Sequence, residues 1–412
     1  MSRVLLVLSL LVSSVQAQTL SYFRSPRGLP MNIIAGPDGN LWFAQRAFSP
    51  LGSDQVSGLT RVTPLGEMTS YAAPHAPRYR PGMAAWPAGA ISFSWSGGVD
   101  SLDVATGTYT SYPTPVEAET LLAGPDGNLW FGYYGGVGGM TRSGAITLFP
   151  LDKRAGYGVP DVTGLTVGAD GNIWFADWRA HGFGTMNLSG QVLKYADDYG
   201  ASSIATASDG TVWASGLQWL GRIKADYKVD FVTLPLLGGS FLPILQRITP
   251  GPNGTVWYAA TQTIGAASAD GSVKTFLLDF PYPSDVVLGP DGNIWAVFEV
   301  SYSCVTPCFI DPTPPIALVR VNLVNPAPSI TNIDWSVNGV TIHGLGFVPD
   351  TIVRFNGADR ATTYVSPFEL VINAPDASPS GTFIAVNRAP GGGASAPFVF
   401  TGRALGRRRA AR

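Results

Sequence analysis

Hydrophobic positions along this chain are gathered into short runs, and Gly, Pro, Asn or Asp separates most runs from the next. Short apolar runs bounded by turn formers predict β-strands, because a helix needs a longer stretch with apolar residues three and four apart. One pattern recurs. Gly36-Pro37-Asp38-Gly39-Asn40-Leu41-Trp42-Phe43 is repeated residue for residue at 124–131, with looser copies at 86–93, 168–175, 207–214, 251–258 and 289–296. The resulting column reads Trp42, Ser92, Trp130, Trp174, Trp213, Trp257 and Trp295, at intervals of 50, 38, 44, 39, 44 and 38 residues. A period of that size marks a repeat architecture.

Each repeat has the same internal order. An apolar strand is followed by an Asp-Gly or Asn-Gly turn, a strand beginning at the Trp, a third strand such as Leu59-Thr60-Arg61-Val62 and a fourth such as Ile146-Thr147-Leu148-Phe149-Pro150. Gly after Asp or Asn accepts positive φ without a Cβ clash, which is what a tight hairpin demands. Four antiparallel strands per repeat make a propeller blade, so the chain is predicted to be all-β, with a seven-bladed β-propeller. The Trp column is expected to fill the spaces between blades, with Trp95 standing in for the Trp missing at Ser92. The seventh repeat offers only three strands. Leu20-Ser21-Tyr22-Phe23 matches the fourth-strand pattern of Thr69-Ser70-Tyr71 and is expected to complete that blade, closing the ring and removing exposed sheet edges.

Asn325-Pro326-Ala327-Pro328 interrupts the pattern. Alternating stretches at 329–333, 340–343, 352–355, 369–372, 382–386 and 397–400, with Gly and Pro turns between them, predict an Ig-like β-sandwich. The expected organisation is a signal peptide at 1–17, the propeller at 18–324, a linker at 325–328, the sandwich at 329–401 and a basic tail at 402–412.

Composition agrees with many short strands: 49 Gly and 33 Pro accompany 45% hydrophobic residues, and only 13% of residues are charged. Net charge is -2, without the clustered Lys and Arg that nucleic acid or an anionic membrane would require. Arg3, the apolar run at 4–12 and Val15-Gln16-Ala17 have the layout of a signal peptide cleaved near Ala17. That run is too short to cross a bilayer core of about 30 Å, and no later segment is predicted to span a membrane. The expected location is therefore extracellular or periplasmic. Export permits a disulfide between the two cysteines, Cys304 and Cys308, whereas a metal site there lacks further ligands nearby.

The Gly-Pro-Asp-Gly-Asn-Leu-Trp-Phe units resemble the streptogramin B (virginiamycin B) lyase family of propellers over about residues 20–324. Gly344-Leu345-Gly346-Phe347 with Val353-Arg354-Phe355-Asn356-Gly357 resembles the Ig-like IPT/TIG domains. The first resemblance implies a lyase that opens a cyclic depsipeptide, using inner-strand histidines, a glutamate and Mg²⁺. The histidine column here, five residues before the first motif glycine, reads Met31, Pro81, Glu119, Thr163, Ser202, Gln246 and Ser284, and holds no histidine. Three residues after the Trp, where the family's carboxylate is implied, stand Gln45, Trp95, Tyr133, Asp177, Gly216, Ala260 and Phe298, with Glu299 one place later. Elimination needs a base near the α-proton and an electrophile for the enolate.

Both columns are expected to rim one mouth of the central channel. Together with the following loops they nominate Gln45, Arg46, Tyr133, Tyr134, Asp177, Trp178 and Arg179 as ligand contacts, with Asp177, His181 and Glu299 as the candidate catalytic groups. Aromatic rings beside a few charges suit a small organic, glycan or peptide ligand, or another extracellular protein. The leading expectation is a secreted, non-catalytic binding propeller. A divergent lyase or lactonase using Mg²⁺ or Ca²⁺, and a structural envelope protein, are the alternatives.

Overall fold

The computed structural model describes residues 20–24, 29–46, 57–152, 158–179, 181–197, 199–236, 242–279, 282–298, 316–336, 339–373 and 380–401. The signal peptide, Glu299, both cysteines and the basic tail lie outside them. Among the described residues, helix is confined to one 3-10 turn at Pro252–Gly254, and no helix is long and apolar enough to cross a membrane.

Seven four-stranded antiparallel sheets form the blades. From the innermost strand outward, blade 1 is Leu29–Ala35, Leu41–Arg46, Gly58–Val62 and Met68–Ala72. Blade 2 is Met83–Ala84, Ala90–Trp95, Gly98–Asp103 and Tyr109–Pro113. Blade 3 is Thr120–Ala123, Leu129–Tyr133, Gly136–Met140 and Ile146–Pro150. Blade 4 is Val162–Val167, Ile173–Asp177, Gly182–Met186 and Val192–Asp197. Blade 5 is Ser203–Thr206, Val212–Ser215, Leu220–Ile223 and Val229–Val232; blade 6 is Leu245–Pro250, Val256–Ala260, Thr263–Ala267 and Val273–Leu277. Blade 7 is Pro283–Leu288, Ile294–Phe298 and Ile316–Val321, completed by the N-terminal Leu20–Arg24. The first described strand thus closes the ring, with Leu20 opposite Val321 and Phe23 opposite Leu318.

The packing between blades follows from the motif. Side chains alternate across each second strand, so the Trp faces the following blade and the residue after it faces the preceding one. Trp42 packs with Ile91 and Phe93 of blade 2, Trp130 with Ile173 and Phe175 of blade 4, and Trp295 with Leu41 and Phe43 of blade 1. Each buried indole contributes roughly 2–3 kcal/mol through its hydrophobic surface. The motif glycine permits this packing: a Cβ on Gly124 would lie 2.4 Å from Trp130 Cδ1. Blade 2 corrects one expectation. Its missing Trp is replaced by Trp86, which packs with Leu129 and Phe131 of blade 3 and donates its indole N–H to the Gly127 carbonyl at 2.9 Å. Trp95 instead stacks on His75, with ring centroids 3.8 Å apart.

Beyond blade 7, Asn325 and Pro326 are fastened to the C-terminal sheets. Asn325 exchanges backbone hydrogen bonds with Pro390 and Gly392, and Asn387 donates to the Pro326 and Gly346 carbonyls. Two further antiparallel sheets follow. One contains Ser329–Ser336, Gly339–Leu345, Glu369–Ile372 and Thr362–Ser366; the other contains Ala358–Arg360, Ile352–Phe355, Gly381–Asn387 and Gly393–Ala394, with Phe398–Phe400 paired to Gly381–Asn387. They share a core that includes Ile342, Phe347, Phe355, Leu370 and Phe383. Phe368, beside these sheets, contacts Phe23 of the closing strand, with ring centroids 6.2 Å apart.

Candidate binding site at the channel mouth

The seven innermost strands stand side by side around the central channel. Their ends opposite the Asp-Gly turns enclose a cavity of about 190 Å³, lined by Asn32, Arg80, Glu119, Thr163, Trp178, Ser202, Gln246, Arg247 and Ser284. A second cavity of about 300 Å³ continues down the channel, and Asn32 and Arg247 border both. These two side chains therefore form the floor of the mouth. Five of the lining residues, Glu119, Thr163, Ser202, Gln246 and Ser284, belong to the column in which the family resemblance implied histidines.

Asn32 and Arg247 enter the lining at β-bulges. The ladder between first and second strands shifts between Pro30 and Ile33 in blade 1, between Leu245 and Arg247 in blade 6, and between Pro283 and Asp285 in blade 7. A bulge breaks the alternation of faces, so consecutive residues such as Gln246 and Arg247 both reach the cavity. Arg80 precedes the short first strand of blade 2 and has φ 51°, a left-handed conformation uncommon for a non-glycine residue.

Hydrogen bonds between neighbouring innermost strands hold this ring. Thr163 donates to the Ser202 carbonyl at 3.0 Å, and the Ile248 amide donates to Ser203 Oγ at 3.2 Å. At the seam, Asp285 accepts from the Ile33 amide at 3.1 Å and from the Val286 amide at 2.9 Å. Burial raises the pKa of Asp285, while the positive charges of Arg247 and Arg80 and the two amides oppose that rise. Arg80 is lowered by desolvation and supported by Asp285. Glu119 is engaged by Arg78 at 2.8 Å, and the same guanidinium donates to the Ala118 carbonyl.

The residues nominated from the sequence are divided by this geometry. Trp178 lines the cavity and is 37% exposed. Gln45 and Asp177 are fully buried, because the third residue after the Trp points between blades rather than into the channel. Gln45 accepts from Thr60 Oγ1, and Asp177 accepts from the Tyr195 hydroxyl and the Asp161 amide. Tyr133 is buried, which raises its phenol pKa. Tyr134 and Arg179 are exposed on the rim outside the cavity: Arg179 lies 5.3 Å above the Tyr134 ring and 3.3 Å from Asp161. Asp161 is raised by burial and by the nearby charges of Glu119 and Asp177, with Arg179 opposing. Arg46 ends the second strand of blade 1, and Glu299 is outside the described residues. His181 is exposed, with φ 55°, and is not among the residues bordering the cavity. Arg80, Arg247 and Asn32 also line the cavity, and their only sequence signal is adjacency to the histidine column.

The mouth does not fit the divalent metal that the resemblance implied. Two guanidinium groups border it, Glu119 is engaged by Arg78, and Asp285 is held by two amides. Among the described residues, no group of three His, Cys, Asp or Glu side chains converges anywhere. What the mouth does present is hydroxyl and amide groups, two guanidinium groups, one carboxylate and one partly exposed indole. Such a set can orient a polar molecule against an aromatic face.

Comparison with solved structures places the fold. A streptogramin B lyase structure superposes with a TM-score of 0.59 at 19% identity, over 73% of this chain and 96% of that one. A catalytically inactive histidine-to-alanine variant of virginiamycin B lyase from Staphylococcus aureus, with quinupristin, gives 0.59 at 16% identity, over 73% and 98%. The extracellular domain described for a one-component system of Bacteroides thetaiotaomicron gives 0.53 at 13% identity, over 92% of this chain and 58% of that one. At such identities the likeness is one of fold. No curated protein matches the chain. The sequence profile of the virginiamycin B lyase family matches residues 12–235 and 160–303, more than half of the chain, and the protein belongs to that family.

Proposed function

We propose that this protein is an exported, non-catalytic propeller that binds a small polar ligand at the mouth of its channel. The C-terminal sandwich, with its IPT/TIG-like sequence, serves as a spacer or docking module. One observation carries the proposal. The family's histidine column opens onto the mouth, yet in this chain it supplies Glu119, Thr163, Ser202, Gln246 and Ser284, ligand-orienting groups without an evident base for elimination. Glu119 is the only carboxylate among them, and it is paired with Arg78 at 2.8 Å. The extracellular placement of the Bacteroides neighbour is compatible with a receptor module.

The lyase reading keeps the support of family membership, so the test sets the two against each other. Purified protein from Gln18 onward is incubated with quinupristin and with a simple lactone, with and without chelator, and products are followed by mass spectrometry. Intact substrates are expected. Ring opening that chelator abolishes would overturn the binding proposal in favour of a metal-dependent enzyme.

A further inference from the structure

Resting on the binding proposal, we infer that the mouth selects a small polyhydroxylated carboxylate, of the size of one uronic acid unit. Charge is distributed unevenly around the cavity. Arg80 and Arg247 border it from blades 2 and 6. The acid that accompanies them, Asp285, borders the lower cavity rather than the mouth and has its oxygens on the Ile33 and Val286 amides. Across the mouth, Glu119 is engaged by Arg78, and farther out Asp161 is engaged by Arg179. Glu119 and Asp161 are thus each paired with an arginine beside them, and the guanidinium groups of Arg80 and Arg247 border the space a ligand would fill.

Guanidinium groups match carboxylates in geometry and are less strongly hydrated than ammonium groups, so they favour an anion entering a partly enclosed site. Arg247 already reaches across the channel, with Nη1 3.5 Å from the Thr163 carbonyl, a long contact that a carboxylate could replace. The remaining groups indicate the rest of the ligand. Asn32, Thr163, Ser202, Gln246 and Ser284 are neutral donors and acceptors suited to hydroxyls, and Trp178 offers a ring face to a sugar's apolar side. At about 190 Å³ the mouth itself has room for a single ring or the acidic end of a chain, and the channel continues below it into the cavity of about 300 Å³.

Calorimetry and thermal shift with glucuronate and galacturonate, against glucose and galactose at matched ionic strength, test the inference on the full mature chain. The uronates are expected to bind and the neutral sugars to bind at least ~10-fold more weakly, the scale of one charge-assisted hydrogen bond. Arg247→Gln and, independently, the exposed Arg80→Gln should weaken the uronates by a similar factor, and Trp178→Ala should weaken all bound sugars. Neutral sugars binding as well as uronates, with sensitivity to Trp178→Ala, would overturn the acidic ligand and leave the mouth as a binding site. Uronate binding indifferent to all three variants would overturn both. Absence of binding by any of the four sugars would also overturn the inference, leaving the mouth's role to be decided by the depsipeptide and lactone experiment.

Discussion

The two ends of the hairpin formed by the first and second strands of each blade follow opposite rules. At the turn end, the sequence repeats and, in four of the seven blades, so does the bonding. The turn aspartate accepts the indole N–H of the following Trp in blades 1, 3, 4 and 7, at 3.0 Å for Asp38 and Trp42 and 3.1 Å for Asp126 and Trp130. At the mouth end, corresponding positions carry Glu, Thr, Ser and Gln, bulges displace the register, and no two neighbouring blades present the same residue. A structural demand that is equal in every blade yields a repeat, whereas recognition of one asymmetric molecule on the ring's axis requires the blades to differ. Repetition therefore indicates which end builds the scaffold and divergence which end meets a ligand.

The strongest test of this contrast is Trp130→Ala. Trp130 is buried between blades 3 and 4, and large-to-small changes of buried aromatics cost about 3–5 kcal/mol through lost burial and the cavity left behind. Guanidinium unfolding should show a loss of that order. A loss below ~1 kcal/mol would mean that the turn-end Trp column is not the main fastening between blades. A smaller effect is expected for Asp285→Ala, which probes whether every group near the mouth belongs to recognition. Removal of this carboxylate leaves the Ile33 and Val286 amides without their acceptor, at about 1–3 kcal/mol for a buried donor. Hydrogen exchange at the Ile33 amide should accelerate in the variant. Unchanged exchange would show that the seam between blades 7 and 1 is held by strand packing alone.

How far the sequence could be read follows the same division. The Trp column and the Asp-Gly turns carried the seven blades, and the missing fourth strand pointed to Leu20–Arg24 as the closing strand. Trp86, the replacement in blade 2, carries no signal in the column because it precedes Ser92 by six positions and reaches the same inter-blade space from the start of the turn. The sandwich was visible in its longer strands, but Ala358–Arg360 and Gly393–Ala394 are too short to show alternation. At the mouth, periodicity misdirected. Position along the strand puts Gln45 and Asp177 at the rim, yet both faces of a blade are covered by its neighbours, so these side chains are buried in protein. Arg247 enters the mouth through a bulge, and a bulge depends on how adjacent strands compete for register, which no local pattern encodes.

The smallest effect separates the two ends by protonation. Burial alone would raise the carboxyls of Asp38 and Asp170, but hydrogen bonds from Asn40 and Trp42 to the former, and from Asn172 and Trp174 to the latter, outweigh it and leave both below the usual value of 3.8. A carboxylate with a lowered folded-state pKa contributes stability that is present above its unfolded value and lost as pH falls through the folded one. Asp285 has the opposite sign, since burial raises it: its contribution is present at low pH and lost as pH rises through its folded value. Acid should thus weaken the turns while sparing the seam. Denaturant unfolding from pH 5 downward should show the native protein losing stability below about pH 4, and a variant with Asp38→Asn and Asp170→Asn starting less stable but losing less over the same interval. Both turns remain largely open to solvent, so the difference in slope should be modest. Equal slopes for the two proteins would remove these carboxylates from the account of why the turn end repeats, leaving the burial of the indoles as its cause.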